Sequence, residues 1–196
     1  MANWCTTELY LSGKKANAEK LQNDLERVFA IDRSGENPQT FESDSYWLAY
    51  IIENLLEGKT REDYECRGNV TMIGDTLTEL DDDHAAVHLM TETAWVPMTD
   101  LFRDLAEKYD LAMFYCAEEL GCEILETNDE EGVFFSDRYR VEDDESTEFY
   151  ETFDEVADHV QAVTGKRPNE LLDLEGILED YNDEERTLIV QVFDIV

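Results

Sequence analysis

Carboxylates are the side chains with which this sequence could do most of its chemistry. Of its 196 residues, 49 are Asp or Glu and 15 are Lys or Arg. The acids are densest from Ala117 to Asp158, where 17 of them are opposed by Arg138 and Arg140 alone. Carboxylates in such numbers could bind a metal ion, act as general acid and base, or form an anionic binding surface, and their spacing decides between these uses.

Metal-binding patterns are poorly represented. His84 and His88 lie in a segment that alternates like a strand, where four residues span about 13 Å, too far to share one ion. Asp81–Asp83 and Asn128–Gly132 lack the alternating ligands of a calcium loop, so we interpret both as turns. The sequence therefore predicts no metal site and no cofactor.

Nucleophilic patterns are equally scarce. The four cysteines form no Cys-x-x-Cys pair and have no recognisable histidine partner, so we interpret them as reduced thiols whose role stays open. They are Cys5, Cys66, Cys116 and Cys122. We predict no catalytic residues, and we do not expect the protein to be an enzyme.

The acidic stretch is interleaved with aromatic and β-branched residues such as Phe134, Phe135 and Tyr139. Disordered acidic tails lack that density, so we expect a folded anionic surface. Such a surface attracts basic proteins and repels nucleic acids and anionic membranes. The residues that we predict to contact a partner are Glu118, Glu119, Glu123, Glu126, Asp129, Glu130, Glu131, Glu142, Asp143, Asp144 and Glu145.

Three interpretations of this surface remain open. Carboxylates on a strand face repeat every ~6.6 Å, and i, i+4 pairs on a helix lie ~5–6 Å apart, near the spacing of phosphates along a nucleic-acid backbone. The surface could thus be a nucleic-acid mimic. It could also be an acidic interaction module without mimicry, or an adaptation of a cytoplasmic protein to high salt. Halophilic adaptation predicts an even coat of acids, whereas the bases become rarer after Lys108.

The elements that would position these residues follow from hydrophobic periodicity. Segments with a period of two alternate with segments with a period of 3.6, in the order β-α-(α)-β-β-α-β. This order predicts an α+β protein with a ferredoxin-like βαββαβ antiparallel sheet in residues 1–119. A helix over residues 44–57 would lie in an insertion at 35–62.

Residues 120–196 are predicted to form an acidic α+β extension. Cys122–Thr127 and Val133–Val141 have the pattern of a hairpin. A capping box at Thr152 and Glu155 predicts a helix that contains a partly buried His159. A further short helix and a final strand are predicted over Leu171–Tyr181 and Thr187–Val196.

Two short motifs carry a family resemblance. The first is Met1–Cys5, followed by a strand that ends at Ser12-Gly13, and the second is Thr93-Ala94-Trp95 with Pro97 before a helix. Together they resemble the YubB-type ferredoxin-like domain of plasmid and phage proteins, over residues 1–119. The resemblance implies a ferredoxin-like fold and a mobile-element origin, and it supplies no catalytic residue. Val96 stands where serine is commoner in that family.

The sequence thus predicts a non-catalytic acidic binding protein of a phage or plasmid. Its expected function is to mimic nucleic acid and inhibit a host defence nuclease of the restriction or CRISPR type. The expected partner is a basic surface on a nucleic-acid-binding enzyme, with no direct contact to nucleic acid or membrane and an open oligomeric state. No apolar run reaches the ~18–20 residues of a membrane span, and no signal pattern precedes the first strand, so the host cytoplasm is the expected location.

Overall fold

A computed structural model describes residues 3–31, 46–183 and 186–196 of the chain. The protein is mixed α+β with a mainly antiparallel sheet, as the sequence predicts. It divides into two compact units, Met1–Ile124 and Leu125–Val196.

Five strands lie in the described part of the first unit. They are β1 (Trp4–Lys14), β2 (Gly68–Ile73), β3 (Thr78–Glu79), β4 (His84–Ala94) and β5 (Leu111–Glu119). β1 lies between β4 and β5, and β2 pairs with the far edge of β4, which gives the antiparallel order β5-β1-β4-β2. The short β3 pairs with the start of β4. The alternating side chains of β1 explain this arrangement, because every second residue from Cys5 to Leu11 is buried.

Three helices contribute to the core of this unit: α1 (Lys15–Phe29), α2 (Ala49–Leu55) and α3 (Thr99–Tyr109). Apolar residues at helical spacing, such as Leu21, Leu25 and Leu105, pack against Leu9 and Leu89 of the strands.

The second helix is shorter than the sequence pattern predicts. α2 starts at Ala49 rather than near residue 44, because Trp47 forms an antiparallel bridge with Asn69 and the Leu48 N–H donates to the Gly68 carbonyl at 3.0 Å. Residues 35–45 of the predicted insertion lie outside the described part of the chain.

The described residues of the second unit form a three-stranded antiparallel sheet, a pair of short parallel strands and two helices. The sheet has the order β8 (Thr147–Tyr150), β7 (Tyr139–Asp143), β9 (Leu188–Val192). β6 (Ile124–Thr127) pairs in parallel with β10 (Asp194–Ile195). The helices are α4 (Phe153–Thr164) and α5 (Leu171–Tyr181).

The core of the second unit is small. Val141 of β7 and Leu188 of β9 pack with Val156 and Val160 of α4 and Leu174 of α5. α5 has the predicted bounds. The predicted capping box at the start of α4 is confirmed, with the side chain of Thr152 and that of Glu155 each accepting the other's backbone N–H.

The predicted hairpin between Cys122–Thr127 and Val133–Val141 is wrong. β7 begins only at Tyr139, and both of its edges are occupied by β8 and β9, whereas β6 pairs with β10. The residues before β7 form a loop around the buried carboxylate of Asp129 instead of a strand. None of the described helices is long and apolar enough to cross a membrane.

Candidate functional site

Charge compensation is the first feature of the acidic region. Residues 125–196 hold 23 acidic and 5 basic residues. Each of the five bases is engaged inside the unit, three of them in surface ion pairs. Lys166 contacts Asp180 at 2.7 Å, and Arg186 pairs with Asp183 three residues away.

Arg167 neutralises part of the outer face of α4. Its guanidinium contacts the carboxylates of Asp154 at 2.6 Å and Asp158 at 3.0 Å. These two acids are i, i+4 neighbours, which would otherwise repel each other on the helix surface. The i, i+4 spacing expected for a phosphate mimic is therefore present on α4, but one base of the same chain already bridges it.

Asp129 and Arg138 together hold the loop before β7. The Asp129 carboxylate accepts hydrogen bonds from three successive N–H groups, those of Val133 at 2.9 Å, Phe134 at 2.6 Å and Phe135 at 2.9 Å. Arg138 donates to the backbone carbonyls of Asp129 at 2.8 Å and Phe135 at 2.7 Å. Burial alone would raise the pKa of Asp129, but the N–H donors and the nearby Arg138 bring it below its ordinary value.

Glu119 has a comparable structural role in the first unit. It is buried, and its carboxylate accepts the N–H groups of Gly121, at 3.1 Å, and of Cys122, so that it caps the 3-10 turn Leu120–Cys122. A hydrogen bond with the Cys122 side chain, followed by those N–H donors, lowers the pKa of Glu119. Glu119 and Asp129 therefore point into the protein, and their carboxylates stabilise loops.

The four acids from Glu142 to Glu145 lie at the turn between β7 and β8. Glu142 pairs with the buried Arg140 at 2.6 Å. Asp143 accepts the N–H groups of Glu145 and Ser146, both at 2.8 Å, which closes the turn. Asp144 accepts the backbone N–H of Thr187 at 3.1 Å. Glu145 is exposed and has no such partner among the described residues.

The remaining predicted residues differ in exposure. Glu130 and Glu131 are exposed on the Asp129 loop, and Glu123 is exposed where the 3-10 turn ends, with φ +59°. Glu118 and Glu126 are half-buried. The eleven candidates are thus divided between the two units, with Glu118, Glu119 and Glu123 in the first and the other eight in the second.

A cavity that the sequence analysis did not predict lies beside the β7–β8 turn. It has a volume of about 370 Å³ and is lined by Asp143, Tyr150 and residues of α4, among them His159. His159 is largely buried, with Nδ1 2.7 Å from the Tyr150 hydroxyl and Nε2 3.4 Å from Asp143 Oδ2. Burial, and then the charges of Glu148, Glu155 and Asp143, raise the pKa of Tyr150. The only sequence signal was the position of His159 at helical spacing between two buried valines.

Residues 3–31, 46–183 and 186–196 contain no group of three or more His, Cys, Asp or Glu placed to hold a metal ion. None of the four cysteines, all of which lie in these ranges, forms a disulfide. Burial raises the pKa of Cys66 to about 12, so that this thiol is protonated and a poor nucleophile at neutral pH.

Comparisons with protein-family models, with curated proteins and with solved structures found no match to this chain. The resemblance of its N-terminal motifs to the YubB-type domain therefore stays a prediction.

Proposed function

We propose that the protein is a non-catalytic acidic inhibitor from a mobile element, which occupies the basic nucleic-acid site of a host defence nuclease. The observation that carries this proposal is the engagement of all five bases of the second unit with partners inside that unit. Five bases cannot neutralise 23 acids, so a net negative charge is left for an external partner. A basic surface evolved to bind phosphates is the complementary class of partner.

Several exposed acids lie on rigid loops, which favours mimicry of a nucleic acid over a general acidic coat. Glu130 and Glu131 belong to a loop that is fixed by the Asp129 and Arg138 hydrogen bonds, and Glu145 belongs to a turn that is closed by Asp143. Carboxylates on a fixed backbone lose less conformational entropy on binding than carboxylates on a flexible tail. The binding residues within our proposal are therefore the exposed members of the predicted set, whereas Glu119 and Asp129 support the loops.

We also propose that the first unit has the ferredoxin-like arrangement. The antiparallel order β5-β1-β4-β2, with α1 after β1 and α3 between β4 and β5, supports this assignment. With the motifs around Trp4 and Trp95, it also supports a phage or plasmid origin. A location in the host cytoplasm would follow from the same proposal.

The experiment that tests this function is affinity capture from a bacterial lysate, followed by competition with DNA. Proteins bound at 50 mM NaCl and released at 500 mM are identified, and the binding of each to a labelled duplex is measured with and without the acidic protein. We expect a captured nuclease whose DNA binding is competitively lost. Capture of proteins that bind no nucleic acid would refute mimicry and favour an acidic interaction module.

A matched pair of triple variants locates the interface. Glu130→Gln, Glu131→Gln and Glu145→Gln remove three exposed charges from the two rigid loops, and Glu170→Gln, Glu175→Gln and Glu179→Gln remove three exposed charges at α5. Exposed ion pairs contribute ~0.2–1 kcal/mol each, so we expect the first variant to weaken competition roughly tenfold and the second to have little effect. Equal effects of the two variants would show that only total charge matters.

A further inference from the structure

A cavity of about 500 Å³ lies in the first unit, where β4 ends and α3 begins. It is lined by the segment Ala94–Leu101, which contains the Trp95-x-Pro97 motif, and by Asp63, Tyr64, Glu65 and Arg67 at the end of the 3-10 turn Arg61–Tyr64 and just after it. This volume is in the range of pockets that enclose a small ligand or a large side chain, roughly 300–1,000 Å³. None of the eleven acids that we predict to contact a partner lines this cavity.

Trp95 has an unusual backbone conformation at the edge of this cavity. Its φ is +78°, and among the described residues the other non-glycine positions with positive φ are Glu65, Asp110 and Glu123, each of which ends a helix or 3-10 turn. Left-handed residues are common at helix ends, whereas a bulky aromatic residue at a strand end is an outlier.

Two hydrogen bonds hold this conformation. The backbone N–H of Trp95 donates to the Asn3 carbonyl at 3.0 Å, and the Thr93 hydroxyl donates to the Val96 carbonyl at 2.7 Å. Trp95 is 42% exposed at this position and lines the cavity instead of packing into the core.

The polar groups around the cavity favour a cation. Asp63, Glu65 and Asp100 line it together with the single base Arg67, and the Asp100 carboxylate is already paired with Arg103, which leaves Asp63 and Glu65 for a ligand. Asp63 accepts the Thr60 N–H at 2.7 Å, and this bond, with that of the Thr60 hydroxyl, lowers the pKa of Asp63, so that it is charged at neutral pH. The N-terminus of α3 lies here without a side-chain cap and would by itself attract an anion. The acidic side chains around the cavity oppose the binding of an anion.

We propose that this cavity binds an arginine side chain of a basic polypeptide, with the guanidinium against the Trp95 indole and paired with the carboxylates of Asp63 and Glu65. A guanidinium is planar, stacks on aromatic rings and forms paired hydrogen bonds with carboxylates, which matches a cavity that is lined by Trp95, Asp63 and Glu65. The inference rests on the proposed function, since it names one contact of the basic partner. It adds an anchoring residue in the first unit to the acidic loops of the second.

The test is a titration of the ¹⁵N-labelled full chain with the peptide acetyl-Gly-Arg-Gly-amide, followed through the three tryptophan indole N–H signals. Trp95→Phe assigns one signal and Trp4→Phe another. We expect the Trp95 signal to shift and to saturate at millimolar peptide concentrations. The same peptide with lysine in place of arginine should bind at least threefold more weakly. A Trp95 signal that stays unmoved, or equal shifts at the exposed Trp4, would overturn the proposal.

Variants give an independent readout. Trp95→Ala should lower the affinity for the arginine peptide at least tenfold. Trp4→Ala removes a similarly exposed tryptophan outside the cavity and should change this affinity less than twofold. If Trp95→Ala unfolds, Glu65→Gln preserves side-chain size and should still weaken binding about threefold. Unchanged binding of both Glu65→Gln and a folded Trp95→Ala would refute the site.

The two proposals fail separately. An arginine peptide that binds at Trp95, together with no effect of the Glu130, Glu131 and Glu145 triple variant on competition, would support the cavity and contradict the acidic-loop interface. A Trp95 signal that does not shift, together with weaker competition by the triple variant, would support the acidic-loop interface and contradict the cavity site.

Discussion

The two units differ in how much apolar core lies beneath their charge. Among the described residues, the main cluster of buried apolar side chains has 26 members in the first unit and five in the second. The second unit nevertheless has 23 acids against five bases. Its loops are held by carboxylate contacts to backbone N–H groups and by Arg138 contacts to carbonyls. Some acids of the second unit therefore stabilise its loops in place of a larger apolar core, so the number of acids overstates the surface that is available for a partner.

The largest change in stability should distinguish a carboxylate that holds a loop from one that is exposed to a partner. Asp129→Ala leaves three loop N–H groups without their acceptor, so we expect the free energy of unfolding of the second unit to fall by about 3 kcal/mol. Glu130→Ala, the exposed neighbour, should change it by less than ~0.5 kcal/mol. Urea titration with amide exchange as the probe measures both, and similar values for the two variants would contradict the structural role of Asp129.

A signal for this distinction was present in the sequence. Tyr115, Ala117 and Glu119 alternate as buried residues of β5, and Leu125, Thr127 and Asp129 alternate in the same way. Period-two reasoning applied to these acids would have placed Glu119 and Asp129 on the buried side. Treating the acidic stretch as one surface concealed this pattern.

Local signals predicted local structure well. The capping box at Thr152 and the apolar spacing of α5 involve residues three to eight positions apart, and both predicted helices formed. The pairing of β7 with β9 joins Val141 to Val190 across the whole of α4 and α5, and nothing in either strand's own sequence specifies that partner. The cavity at Trp95 could not be predicted for the same reason, since its walls are about 30 residues apart in the chain.

Acid should weaken the contacts with which Asp143 closes the β7–β8 turn. Backbone N–H groups of Glu145 and Ser146, and then His159, lower the pKa of Asp143 in the folded state. Its contribution to stability is therefore present above the ordinary pKa of ~3.9 and is lost as the pH falls through the lower folded value. We expect the stability gap between the wild type and Asp143→Asn, measured by urea unfolding, to shrink below about pH 4. A constant gap down to pH 2 would show that Asp143 acts through size alone.

Salt should distinguish the units by their charge density. Raising NaCl from 20 to 500 mM shortens the Debye length from about 20 Å to about 4 Å, which screens repulsion between exposed acids. We expect the melting temperature to rise by several degrees, and amide protection to increase more in 125–196 than in 1–124. An unchanged melting temperature would show that the acids are too dispersed to repel strongly. Unfolding at any salt concentration below molar would favour the halophilic interpretation.

The smallest expected effect concerns the cavity beside the β7–β8 turn. Tyr150→Phe removes the hydroxyl 2.7 Å from His159 Nδ1, and one part-buried hydrogen bond contributes ~1 kcal/mol, so the free energy of unfolding should fall by about that amount. Tyr139→Phe is the control, because Tyr139 packs on the same core but its hydroxyl has no hydrogen bond among the described residues. The ¹⁵N shift of His159 Nδ1 should move in the first variant and stay constant in the second. If His159 is unaffected while stability falls, Tyr150 acts through packing, and Asp143 is left as the group that positions the histidine.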